Sequence, residues 1–318
     1  MTVDAKIENF KTKLQQLYPN DFQKIIKSLT LKNFYRGFRF TNLFKDKSGL
    51  EELSRLGIDY FSSGFLDSFL CCDKENRLSS TTLFRSFQIY IQNLSSMLDS
   101  YILDPRADET ILDLCAAPGS KTSHIASLTK NKARLFVVEP DFKRMARLKK
   151  NCRDYDVEVE QFIQGWGDML LNNHSELVGF FDKVLVDAPC SNENTIKLYD
   201  KKSLSHWNPK KIKHLTKIQK KLILSGFDAL KPGGQMVYST CTYSFEENEE
   251  VVDYLLQNRK NAKVLQISNS VLKNVPQYKN GLVCFKNKIV SAEIQNSIRI
   301  IPNNAWSTFY ASLVGKRR

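Results

Sequence analysis

The chain has 318 residues, 42% hydrophobic and 25% charged, enough apolar material for a sizeable core and too ordinary a mix for wholesale disorder. No run approaches the roughly 18 apolar residues of a membrane span, and the start M-T-V-D-A-K-I-E-N-F-K is unlike a secretory signal, so a soluble, cytoplasmic protein is expected. Lysine and arginine number 47 against 34 acids, a net charge of +13, which fits a polyanionic partner, nucleic acid first among them, or charge carried for solubility alone.

Residues 1–85 are expected to form a smaller, mainly helical domain. Ile7, Phe10, Leu14 and Leu17 recur at helical spacing, and so do Phe22, Ile25, Ile26 and Leu29. Residues 34–40, F-Y-R-G-F-R-F, interleave rings with Arg36 and Arg39. They read equally as an RNA-facing strand, bases stacking on the rings while arginines hold phosphate, or as a half-buried strand with Arg36 outward. From Thr110 the pattern becomes alternating strands and helices. Strands are predicted over 110–114, 134–138, 182–187 and 235–240, with helices near 119–129, 141–154 and 209–230. Pro232, Gly233 and Gly234 should end the last helix. Such alternation predicts an α/β domain over 86–318, its mostly parallel sheet covered on both faces.

Parallel open sheets bind ligands at the carboxyl ends of their strands, and the informative residues fall there. After the first strand comes D-L-C-A-A-P-G-S-K-T (113–122), whose small residues let the backbone pass close to a ligand. It is neither G-x-G-x-x-G nor a phosphate-binding P-loop around Lys121. Glu139 closes the second strand, where a carboxylate can hold ribose hydroxyls. Asp168 lies in G-W-G-D and Asp187 ends the fourth strand. Each acid alone reads as a cap or loop carboxylate; together they surround one loop. The seven cysteines include no C-x-x-C pair, and no histidine stands at ligand spacing from one, so reduced thiols and no metal site are expected. Cys190 and Cys241 follow strand ends and are candidate nucleophiles, whereas Cys152 and Cys284 read as core hydrophobes.

The segments L-D-L-C-A-A-P-G-S-K-T, V-D-A-P-C-S and Y-S-T-C-T, in this order, resemble the RNA 5-methylcytosine methyltransferases of the Sun type, RsmF-like bacterial enzymes included. Y-I-Q-N-L-S-S-M (90–97), F-E-E-N-E-E-V (245–251) and the closing strand region 299–313 match the same family, and 39–45 does so loosely. The resemblance implies a class I S-adenosylmethionine-dependent methyltransferase, Rossmann-like with a mostly parallel seven-stranded sheet and a smaller helical N-terminal domain. By position, Cys115, Ala116, Ala117, Pro118, Gly119, Ser120 and Lys121 would form the methionine-side loop. Glu139 would hold the ribose, Arg144 and Asp168 would lie near ribose and adenine, and Asp187 would face the reactive methyl and the base. Cys241 would be the nucleophile and Cys190 would assist product release, with Asp187 and Lys121 polarising the cytosine ring. Ser120, Glu139, Asn192 and Asn194 depart from the commonest family residues; asparagine tolerates left-handed backbone, so the loop at 191–195 should still form.

Residues 195–221 carry nine lysines against the single acid Asp200. Lys210, Lys213, Lys217 and Lys220 would line one helix face, as a phosphate track or as a solvated surface. Asn208-Pro209 supplies a helix start, and Trp207 either stacks on RNA or packs. The expected partner is ribosomal or transfer RNA, bound by a monomer, with no membrane or metal. No appended RNA-binding domain is evident after Arg299, which leaves residues 1–85 and the lysines to recognise the target. A DNA cytosine methyltransferase would instead use Cys190 as nucleophile, and an RNA-binding assembly factor on the same scaffold would need neither thiol. A nicotinamide dehydrogenase would need a different glycine loop.

Overall fold

The computed structural model describes residues 2–318 except 33, 34, 45–48, 66, 74 and 76; Phe34 and Lys45, the ends of two stretches singled out above, lie outside the described residues. Two amphipathic helices open the chain, α1 (Val3–Leu17) and α2 (Phe22–Thr30). Thr2 caps α1 by accepting the Ala5 amide, and the predicted stripe is the buried one: Phe10, Leu14 and Leu17 on α1, Ile25 and Leu29 on α2. Then come β1 (Tyr35–Phe40), α3 (Leu50–Arg55), β2 (Tyr60–Ser62), β3 (Ser68–Cys72), α4 (Thr82–Arg85) and β4 (Ile89–Ile91). These four strands form an antiparallel sheet in the order β2-β3-β1-β4 around a small core of Phe38, Leu53, Leu78 and Ile89.

The remaining elements are α5 (Leu94–Leu103), β5 (Thr110–Asp113), α6 (Ser120–Thr129), β6 (Arg134–Glu139), α7 (Phe142–Asp154), β7 (Gln161–Gln164), α8 (Leu170–Asn173), β8 (Phe181–Asp187), α9 (Pro209–Ala229) and β9 (Leu230–Thr240). After these follow α10 (Glu249–Asn258), β10 (Ala262–Leu265), α11 (Asn269–Leu272), β11 (Tyr278–Asn280), the hairpin of β12 (Cys284–Phe285) and β13 (Lys288–Ile289), β14 (Ile298–Ile300) and β15 (Phe309–Lys316). The large sheet runs β11-β14-β15-β9-β8-β5-β6-β7, with β10 also on β15. Strands β5 to β9 are mutually parallel, and β15 enters antiparallel beside β9. Alternate residues feed opposite faces: Leu112, Val184 and Val186 pack toward α9 and α10, Ile111 and Leu185 toward α5 and α6. Chain order reverses between β5 and β8, so the crevice above their carboxyl ends is where a ligand can enter.

Three details differ from expectation. The Pro232-Gly233-Gly234 segment does not terminate a helix but lies inside β9, because α9 stops at Ala229 and the chain enters the sheet at once, its pairing with β8 irregular near Phe181. The boundary drawn at residue 85 is crossed by packing in both directions. β4 completes the small sheet, while Phe10, Leu14, Tyr18 and Ile25 belong to the large core. Arg299 on β14, 1% exposed, fastens α1 further: its guanidinium holds both carboxylate oxygens of Glu249 and donates to the Tyr18 hydroxyl at 2.6 Å.

Arg39 is the third difference. One of the two readings of this strand made Arg39 an RNA contact, yet it is fully buried, since its register on β1 turns it inward onto the large domain. It donates to Gln92 Oε1 at 2.9 Å, Ser120 O at 3.0 Å and Ser123 Oγ at 2.7 Å, and lies over the Tyr90 ring. Arg36 stays part-exposed, 3.8 Å from Asp73, which matches the half-buried reading of this strand. Arg39 therefore pins the small sheet to the loop before α6. An Arg39→Ala change is expected to lower folding stability by about 2–3 kcal/mol, the scale of charge-assisted hydrogen bonds left unmade. Arg36→Ala should change it far less. Chemical denaturation checks this, and equal stabilities would return Arg39 to a surface role.

Candidate functional site

The loop between β5 and α6 is built around its own backbone. The Ala116 amide donates to Val138 O and the Gly119 amide to Ala116 O, closing a tight turn that contains a cis Ala117–Pro118 bond. Gly119 has φ of +105°, and a Cβ there would come 2.9 Å from Leu148 Cδ1, so only glycine fits. Side chains hold the loop's carbonyls from outside: Arg144 Nη2 on Ala117 O and Asn151 Nδ2 on Pro118 O at 2.7 Å each, and Arg39 on Ser120 O. Asp113, not singled out from sequence, is fully buried at the base of the loop, and burial pushes its carboxyl up to about 6. Its Oδ2 accepts from Thr122 Oγ1, while Oδ1 is a buried acceptor with no hydrogen-bond partner.

Glu139 and Arg144 lie side by side. Glu139, 1% exposed, accepts the Asp141 amide at 3.0 Å and lies 3.3 Å from Arg144 Nη1. Asp168 sits on the turn after β7, 3.9 Å from Lys221 on α9. That turn is pressed against the glycine-bearing loop's strand: a Cβ on Gly167 would be 3.0 Å from Leu114 O. Two aromatic side chains at the same edge, Phe142 after β6 and Trp166 after β7, are 79% and 65% exposed. Large apolar rings left open beside buried carboxylates mark a binding face.

Lys121, on the first turn of α6, projects under β8 and β9. Its Nζ bonds Asp187 Oδ2 and lies 3.2 Å from Asp99 Oδ2. Asp99 in turn accepts from Ser239 Oγ at 2.9 Å. Burial disfavours the lysine's charge, but the two carboxylates outweigh it and raise its pKa, so the ammonium persists. Burial and the nearby Asp187 push Asp99 up to about 7. Asp99 was missed; its signal is the single charged residue in the helix L-S-S-M-L-D-S-Y-I-L. Asp187 is the outermost member, its side chain 32% exposed against 9% for Lys121.

The two candidate thiols face each other, Cys190 Sγ and Cys241 Sγ 3.1 Å apart. Asn192 Oδ1 lies 3.2 Å from Cys241 Sγ, and Asn192 has φ of +55°, the left-handed conformation anticipated for that loop. Asn194 donates its amide to Cys241 O. Cys190 is buried and its thiol is pushed well up by its bond to Cys241 and by desolvation; Cys241 is the more accessible. Burial likewise raises the Cys115 thiol, and Cys152, a core residue as expected, is pushed up to about 12. Cys284, expected in the core, is instead exposed, because it sits on the β12–β13 hairpin.

Two buried acids missed by sequence brace the thiol loops. Glu193 receives Thr242 Oγ1 at 2.6 Å, the Tyr243 amide at 2.8 Å, Trp207 Nε1 at 2.7 Å and Lys13 Nζ at 3.0 Å. Burial opposes its charge, yet Lys13 and these donors hold it below the usual glutamate range. Trp207 is thereby a packed residue, 4% exposed. Glu247 accepts the Ser191 amide and hydroxyl and Gln219 Nε2. Glu193 lies in the loop at 191–195 and Glu247 in F-E-E-N-E-E-V, but nothing in a linear string says which acids turn inward. On α9, capped by Asn208 with Pro209 at the first position, Lys210, Lys213 and Lys217 are exposed and Lys220 part-buried. Among the described residues no group of acids, histidines and cysteines could hold a metal ion, and no helix is long and apolar enough to cross a membrane.

Residues 100–314 match the family model described as 16S rRNA methyltransferase RsmB/F. A tRNA (cytosine(49)-C(5))-methyltransferase of Pyrococcus abyssi is 34% identical over 71% of this chain and 70% of its own length. Ribosomal RNA small subunit methyltransferase F of Pectobacterium carotovorum is 40% identical over 58% of this chain, a match that spans 38% of that enzyme's length. A crystal structure of a methyltransferase homologue from Pyrococcus horikoshii superposes with a TM-score of 0.79 at 28% identity, covering 95% of this chain and 93% of that one. The chain belongs to the RsmB/F family of methyltransferases.

Proposed function

We propose that this chain is an S-adenosylmethionine-dependent RNA cytosine-5 methyltransferase. The observation that carries the reading is a pair of facing thiols, 3.1 Å apart, at the carboxyl edge of β8 and β9 beside the Lys121–Asp187 pair. By their names one relative methylates small-subunit ribosomal RNA and the other carbon 5 of a tRNA cytosine, and the substrate here is an RNA of one of those classes. Its seat is the carboxyl edge of β8 and β9, on a protein whose net charge of +13 favours a polyanion.

The donor site fits. The loop 115–121, the ribose-side carboxylate Glu139 with Arg144, Asp168 and the orphan Asp113 Oδ1 offer close backbone, acceptors and no room for an added Cβ at Gly119. S-adenosylmethionine, when bound there, supplies an electrophilic methyl group. Carbon 5 of cytosine is too weak a nucleophile to take it unaided. Cys241, the more accessible thiol, adds to carbon 6, and that bond pushes electron density onto carbon 5. Asp187, the exposed end of the Lys121 cluster, faces the ring's N3 edge, and Lys121 behind it positions the carboxyl and balances its charge. Loss of the carbon 5 proton then expels Cys241. Cys190, held protonated by its bond to Cys241 and by burial, gives its proton to the departing sulfur and takes the carbon 5 proton in exchange, so both thiols end the cycle protonated. The inverse assignment, with Cys190 as attacking thiol, would need the buried partner to reach the substrate past the open one.

Cys241→Ala is expected to abolish methyl transfer. Cys190→Ala should slow turnover by about 10²- to 10⁴-fold and leave a covalent RNA–protein adduct visible on a denaturing gel. Normal turnover of Cys190→Ala without adduct would overturn the division of roles.

Asp99 generates a second test. Below about pH 7 its carboxyl is protonated; above, it becomes a second anion beside Lys121 and draws the ammonium away from Asp187. Asp99→Asn cannot ionise. The ratio of kcat for Asp99→Asn to that of the unmodified enzyme should therefore rise as the pH is raised through 7, an effect that cancels any common titration of Cys241. A flat ratio would contradict the link.

A further inference from the structure

A cavity of about 660 Å³ opens where α1, the first half of α9 and the β12–β13 hairpin meet. Lys213, Lys217 and Lys220, at spacings of four and three, present one helical face to it, and Lys286 approaches from the hairpin turn. Its apolar lining comes from Ile212, the edge of Trp207 and the half-buried ring of Phe285. The acids that border it are engaged, Glu250 with Lys288 at 2.5 Å and Glu246 with the Ser244 hydroxyl at 2.6 Å. Lys213 and Lys217 are exposed and make no ion pair among the described residues.

A merely solvated helix face has no recess, whereas these lysines rim an apolar hollow. Volumes of about 300–1,000 Å³ suit small ligands, so this one takes a nucleotide or two and is far too small for a duplex. Basic rims over aromatic floors are how unpaired RNA is held, phosphate on the cations and base against the ring. The groove also adjoins the thiols. Trp207 and Lys13, both in its wall, bind Glu193, and the same carboxylate holds Thr242 and Tyr243 directly after Cys241. One buried side chain, Glu193, thus braces both the groove wall and the loop that carries Cys241.

We propose that this groove seats an unpaired nucleotide flanking the target cytosine, its backbone phosphates on Lys213 and Lys217 and its base against Phe285. The inference rests on the RNA reading above. The test is fluorescence anisotropy with a labelled single-stranded RNA 12-mer and a duplex of the same sequence, using the full chain, alongside methyl transfer to RNA. The double change Lys213→Glu and Lys217→Glu should weaken single-strand binding about tenfold or more and lower the log–log salt slope by about 1.4, at about 0.7 per phosphate. The loss in methyl transfer should fall on KM and not on kcat. Phe285→Ala should weaken single-strand binding while sparing the duplex. If the unmodified chain binds and methylates RNA but the lysine reversals leave affinity and KM unchanged, the groove is not an RNA seat. Equal losses for strand and duplex, with Phe285→Ala neutral, overturn the base seat. A chain that neither binds nor methylates any RNA defeats the underlying reading instead.

Discussion

The register between two parallel strands fixes the chemistry. Asp187 at the end of β8 is paired with Ser239 near the end of β9, and the Ala188 amide donates to Ser239 O. Three residues beyond Asp187 stands Cys190, and two beyond Ser239 stands Cys241, so the pairing brings both sulfurs to one height over the sheet. A slip of one residue would send every side chain on that strand to the opposite face. On β8 it would also turn Asp187 away from Lys121. The strand pairing thus sets where the two sulfurs stand relative to one another.

Buried charge completes what the register begins. A lysine under a sheet edge would ordinarily lose its proton, and here two carboxylates keep it. A glutamate at zero exposure would ordinarily gain one, and Glu193 is held ionised by Lys13 and a ring of donors from two loops and a tryptophan. Each such group is costly alone and tolerable only when its partners are fixed. The fixed partners are what turn the loops at 190–194 and 241–243 into a rigid frame for the thiols. The N-terminal helix shares in this. Lys13 and Tyr18 on α1 reach Glu193 and Arg299, so the first segment of the chain braces the active edge.

The large domain was legible because periodicity there reflects burial on both faces of the strands. The four predicted strands and three helices appear within a few residues of their expected bounds, and the loop 115–121, Glu139, Arg144, Asp187, Cys190 and Cys241 converge at one edge. What escaped was information carried by direction. Arg39 looked like a phosphate ligand because a string cannot show that β1 turns it inward onto Ser120. Asp99, Glu193 and Glu247 did not stand out because their partners lie 14 to 180 residues away in sequence. Cys284 looked buried because its hairpin leaves the core only in three dimensions. The antiparallel sheet at residues 35–91 has strands as short as three residues, too brief for alternation to register.

That Cys241 attacks carbon 6 is tested most directly by chemical trapping. An RNA substrate carrying 5-fluorocytidine at the target position has no proton to lose from carbon 5, so the enzyme–RNA bond formed during transfer should persist. Digestion and mass spectrometry of the trapped species should find the modified nucleotide joined to the peptide containing Cys241. Attachment to Cys190, or methyl transfer with no covalent species at all, would contradict the assignment.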